Sequence, residues 1–71
     1  MESPIEVPLE IFKGLERIKG TGINMNAFHQ VLAQAERMED LVLSHWLRTN
    51  MKYYIQSTYY GLVPEGEQYI I

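Results

Sequence analysis

Residues 40–60 contain neither glycine nor proline, and this constrains the fold of the chain more than any other feature. In this unbroken stretch Leu43, Leu47, Met51, Ile55 and Tyr59 recur at every fourth position, the spacing of a helix face. Trp46, Asn50, Tyr53 and Tyr54 lie beside that row, so the apolar and aromatic surface is broad for a single helix. A bend is expected at Thr49-Asn50, because both side chains compete for backbone hydrogen bonds. Gly61 supplies a C-terminal stop and Pro64 confirms it.

Two shorter helices precede this segment. Residues 1–7 include Pro4 and read as an extended lead-in, while Pro8 suits a first helical position. Leu9, Ile11, Phe12, Leu15 and Ile18 then follow helical spacing over 8–19. Glu10 stands early and Arg17 and Lys19 stand late, as the helix dipole favours. Gly14 costs roughly 1 kcal/mol relative to alanine unless it permits a close approach. Gly20-Thr21-Gly22 ends the helix. Asn24 and Asn26 both suit an N-cap, and Met25, Phe28, Val31, Leu32, Ala35 and Met38 form the stripe of a second helix over 26–37. Nothing in 38–40 forbids continuation, so Asp40 as the cap of a separate third helix and one bent rod both remain open. Residues 62–71 read as a tail whose apolar ends are Leu62-Val63 and Tyr69-Ile70-Ile71. The expected fold is all-α: a lead-in over 1–7, a three-helix domain over 8–61 with a long third helix, and an extended C-terminal tail over 62–71.

Composition bounds the function. A chain of 71 residues makes one small domain, and one this size buries only about 60% of the surface its unfolded chain exposes. It has no cysteine, which removes disulfides, thiolate metal sites and cysteine nucleophiles, so stability must come from packing or from an oligomer. With 46% hydrophobic and 21% charged residues it is globular rather than disordered. A net charge of −3 argues against non-specific nucleic-acid binding. Residues 1–8 carry Glu2 and Glu6 and no Lys or Arg, unlike a signal peptide. Apolar runs such as Leu41-Val42-Leu43 are far short of the roughly 20 residues a membrane helix requires. The expected setting is therefore the cytoplasm, without a membrane.

Catalytic and metal-binding patterns are weak. His29 and His45 stand sixteen residues apart outside any compact ligand set, and Glu36, Glu39 or Asp40 add no recognised spacing; two ordinary surface histidines account for them. Ser3, Ser44 and Ser57 lack a nucleophile-elbow context, and Ser44 beside His45 points elsewhere on a helix. Gly20-Thr21-Gly22 lacks the following Lys-Ser/Thr of a phosphate loop. A catalytic pocket of about 300 Å³ or more in so small a chain would need a second subunit to close it. No enzyme activity, cofactor or metal is expected. A helix-turn-helix DNA reader is a fairer alternative, with Arg48 and Lys52 as its contacts beside Asn50 and Gln56, but that set is thin for a recognition helix.

The aromatic cluster is the most informative feature. Trp46, Tyr53, Tyr54, Tyr59 and Tyr60 fall within fifteen residues. Tyr53 and Tyr54, like Tyr59 and Tyr60, are about 100° apart on a helix, so a narrow core cannot bury all four. Tyrosine and tryptophan are the residues that protein interfaces concentrate. These five are the expected interface residues, and surplus aromatics on a marginal core point to a homodimer.

The chain also resembles a family of short bacteriophage and prophage proteins of unknown function. The similarity runs over about 8–61. It is carried by Ile18-Lys19-Gly20-Thr21-Gly22 after a Pro-led helix, and by Asn24-Met25 with Val31 following. Trp46-Leu47, Asn50, Lys52, Tyr54-Ile55 and Gly61 complete it. Asn26-Ala27-Phe28 departs from the acidic or basic pair the family places after Asn-Met, and the stretch from Met38 to Trp46 is longer here. The resemblance implies a phage accessory protein in the bacterial host cytoplasm, with no catalytic residue to carry over. The expected function is thus a non-enzymatic protein that binds and modulates a bacterial host protein. The alternatives are the DNA-binding regulator and a virion assembly component.

Overall fold

The computed structural model describes residues 4–66. Among them are four helices and a two-stranded sheet: β1 (Ile5–Val7), α1 (Leu9–Lys19), α2 (Phe28–Arg37), α3 (Leu41–Thr49), α4 (Met51–Tyr60) and β2 (Leu62–Pro64). The fold is mostly helical, as expected, but with four helices instead of three and with a sheet that the local pattern does not announce.

The long third helix is in fact two. Asn50 leaves helical geometry at φ −127° and ψ 35°, and the Thr49 and Asn50 side chains take over the local carbonyls. Asn50 Nδ2 donates to the Trp46 carbonyl at 3.1 Å and to Thr49 Oγ1 at 3.0 Å, while Thr49 Oγ1 donates to the His45 carbonyl at 3.0 Å. This is the expected competition for the backbone, strong enough to break the rod rather than bend it.

The α2–α3 junction is a separate break. The Glu39 N–H donates to the Glu36 carbonyl and the Asp40 N–H to the Ala35 carbonyl, both at 3.0 Å. That is the paired closure of a Schellman motif, and it holds Glu39 at φ 58° where glycine is the usual residue. The Asp40 carboxylate then accepts from the Leu43 N–H at 3.2 Å and caps α3. Of the two open alternatives, the capped third helix is the one formed.

Asn24 and Asn26 do not cap α2. Asn24 Oδ1 accepts from the Asn26 N–H at 3.0 Å, an Asx-turn that precedes the helix, and α2 begins after Ala27 without a side-chain cap. At the other end of that loop Thr21 Oγ1 donates to the Ile18 carbonyl at 2.6 Å, and Gly22 takes φ 88°, the left-handed geometry the turn requires.

The lead-in and the start of the tail pair with each other. β1 and β2 are parallel, in the register Ile5↔Leu62, Glu6↔Val63 and Val7↔Pro64. The Ile5 N–H donates to the Gly61 carbonyl at 3.0 Å and the Glu65 N–H donates to the Val7 carbonyl. All four helices form the crossover between the strands, as a parallel pair demands. Residues 62–64 are therefore a strand, not a free extended tail, while Tyr69-Ile70-Ile71 lies outside the described residues.

The core is built from Val7, Ile11, Leu15, Ile18, Val31, Ala35, Leu43, Leu47 and Tyr54. Gly14 faces the N-terminus of α3: a Cβ there would meet Asp40 Oδ2 and Leu43 Cδ2, each at 3.1 Å. Glycine is what lets α1 approach α3 so closely.

Candidate interaction surface

The row Leu43, Leu47, Met51, Ile55, Tyr59 does not stay on one face. Leu43 and Leu47 are buried in α3, whereas Met51, Ile55 and Tyr59 are exposed in α4. Each four-residue step drifts about 40° round a helix, whereas Tyr54 stands seven residues, close to two full turns, after Leu47; the core-facing positions of α4 are Tyr54 and Ser57. Met51 and Ile55 thus belong to the surface, because each four-residue step turns about 40° further from Leu47.

The five expected interface residues separate accordingly. Tyr59 is 80% exposed, Tyr53 55% and Tyr60 42%. Tyr54 is only 3% exposed, which corrects its place among the contact residues. Its hydroxyl donates to the Met25 carbonyl and its ring lies 5.9 Å from that of Phe28. Burial disfavours the phenolate and pushes the Tyr54 hydroxyl up to about 12. Trp46 is half-buried and packs against the core, leaving an edge toward the groove beside Pro8 and Val42.

Helix α4 is therefore held by one narrow side. Tyr54 and Ser57 point inward, and the buried Ser57 hydroxyl is satisfied by donating to the Tyr54 carbonyl at 2.6 Å. Met51, Ile55 and Tyr59 form one exposed ridge, and Tyr53 and Tyr60 form a second about 150° further round. Lys52 is the single charged side chain of α4, whose sequence is MKYYIQSTYY.

The two alternative DNA contacts differ in their surroundings. Arg48 is engaged by the Glu36 carboxylate across the α2–α3 pair, whereas Lys52 is exposed. A second ion pair among the described residues joins Arg17 to Asp40 at 3.3 Å, binding α1 to the cap of α3. His29 and His45 are both exposed, with the His29 ring edge-on to Phe28 at 5.6 Å. Among the described residues no group of three or more His, Cys, Asp or Glu is gathered as a metal site. Nor is any helix among them long and apolar enough to cross a membrane.

A cleft of about 350 Å³ opens between α1, the α1–α2 loop, α4 and β2. Phe12, Leu15, Met25 and Leu62 line its apolar part, and Glu16 and Lys19 stand at its rim. Its hydroxyls serve local structure, since Ser57 donates to the Tyr54 carbonyl and Thr58 to the Ile55 carbonyl at 2.7 Å. The cleft can accept apolar matter but presents no nucleophile beside a base.

No family model matches the chain, and neither a curated protein nor a solved structure matches it. The phage resemblance thus rests on the residues quoted for it alone.

Proposed function

We propose that the chain is a small non-enzymatic protein-binding module whose contact surface is the exposed side of α4. One observation carries this reading: Met51, Tyr53, Ile55, Tyr59 and Tyr60 all stand in solvent on a single ten-residue helix. Isolated exposed apolar residues are ordinary, but two aromatic and aliphatic ridges on one short helix mark a protein contact. Tyrosine fits that role because it offers large contact area, a polar tip and few rotamers to fix. The phage resemblance supplies the partner class, a bacterial host protein bound and modulated in the host cytoplasm, and the surplus surface supports a homodimer as the binding form. The engagement of Arg48 by Glu36 leaves the DNA-regulator alternative with less basic surface than its sequence offers.

The test is affinity capture from bacterial lysate with the wild type and with the triple substitution Tyr53→Ser, Tyr59→Ser, Tyr60→Ser. Helical content by circular dichroism establishes that the variant folds. Loss of the captured protein supports the reading, and unchanged capture together with unchanged oligomeric state refutes it.

A further inference from the structure

We propose that the Met51, Ile55, Tyr59 ridge of α4 is covered by the same ridge of a second copy, antiparallel, with the two-fold axis passing beside Ile55. This rests on the reading of α4 as a contact surface and assigns one of its two ridges to self-association.

Three observations converge on a second copy as the occupant. The ridge is evenly spaced about its middle: Met51 and Tyr59 stand four residues either side of Ile55. An antiparallel pair centred there sets Met51 against Tyr59 of the other copy, a favourable sulfur–aromatic contact, and Ile55 against Ile55. The flank of the ridge is open as well. Met51, Lys52, Ile55 and Gln56 line a shallow apolar groove between two adjacent four-residue rows of α4. Four-residue rows of two helices run parallel to each other when the helices cross at about −50°.

Charge decides the direction. Lys52 lies in the first turn of α4, where the helix dipole disfavours a cation, and the last turn carries no basic residue. Antiparallel pairing brings each Lys52 to the last turn and the terminal carbonyls of the other copy's α4, the end at which a cation is stabilising. Parallel pairing would leave both lysines at the disfavoured end and close to each other. The Tyr53, Tyr60 ridge faces away and stays free for a different protein.

The absence of cysteine makes the test clean. Helices packed about 8–10 Å apart bring residues at the crossing to about 3.5–5.5 Å at their Cα atoms, overlapping disulfide range. Ile55→Cys is expected to form a disulfide-linked dimer under mild oxidation at least about tenfold faster than Lys13→Cys on α1, through the raised effective concentration. Sedimentation of the wild type from about 5 to about 500 µM, bracketing the micromolar range, is expected to show a monomer–dimer equilibrium. Ile55→Lys is expected to hold the mass at monomer with an unchanged dichroism spectrum. Cross-linking no faster at 55 than at 13, or a wild-type mass that stays monomeric throughout, overturns the proposal. If monomeric protein still captures a host protein and loses it on the tyrosine substitutions, self-pairing is refuted while the contact-surface reading stands. If Ile55→Lys abolishes that capture in a chain monomeric throughout, the ridge belongs to the other protein and self-pairing is again refuted.

Discussion

The Tyr54 hydroxyl on α4 donates its hydrogen bond to the main-chain carbonyl of Met25, a residue twenty-nine positions earlier in the α1–α2 loop. With Phe28 against its ring, this one side chain ties the least buried helix to the rest of the core. Tyr54→Phe keeps the ring and strands the carbonyl. The expected cost is about 1–2 kcal/mol in urea unfolding, without loss of helical content.

The same residue gives the protein an alkaline stability limit. Its folded-state value is raised to about 12 from the ordinary 10.0, because burial disfavours the phenolate. Below pH 10 both folded and unfolded chains hold the proton, so the full contribution is present. Between about pH 10 and 12 only the folded chain holds it, and stability falls as pH rises, by a total on the order of 2–3 kcal/mol. The wild-type stability curve is expected to drop more steeply over this window than that of Tyr54→Phe. Parallel curves would contradict this.

Glu39 occupies the left-handed position of the Schellman motif that ends α2. A side chain there costs about 1–2 kcal/mol relative to glycine in strain, offset in part by the entropy glycine loses on folding. Glu39→Gly is expected to stabilise the protein by about 1 kcal/mol, read as a higher denaturant midpoint with an unchanged slope.

Gly14 presents the opposite case. Alanine gains about 1 kcal/mol of helix propensity, but its Cβ would press on Leu43, which is buried, and on Asp40, which is held by Arg17 and by its capping bond. Neither neighbour is free to yield, and overpacking costs about 1–3 kcal/mol. Gly14→Ala is expected to be net destabilising by about 1 kcal/mol in thermal or urea unfolding, and a gain in stability would show that α3 can withdraw from α1.

These sites show what local sequence can and cannot carry. Thr49 and Asn50 betray the break in the third helix because their side chains compete with the backbone where they stand. Asp40 is legible as a cap for the same reason. The core face of α4 is less legible: a row of four-residue steps drifts about 40° per step, so Met51, Ile55 and Tyr59 turn outward, while Tyr54, seven residues after Leu47, turns in. The end of α2 is hidden because Glu39 fills a position that glycine normally signals. The pairing of β1 with β2 is hidden for another reason. Each strand is three residues long, too short for an alternating pattern, and its partner lies at the far end of the chain.

The central claim is that the exposed side of α4 meets another protein. Photo-cross-linking from position 59, the most exposed tyrosine of the described residues, tests it most directly. A benzophenone amino acid at 59, compared with one at Lys13 on α1, is irradiated in bacterial lysate and in purified protein. The account predicts discrete adducts from 59, with a second copy or with a bacterial protein, and none from 13. Equal yields at the two positions, or no adduct from 59, would contradict it.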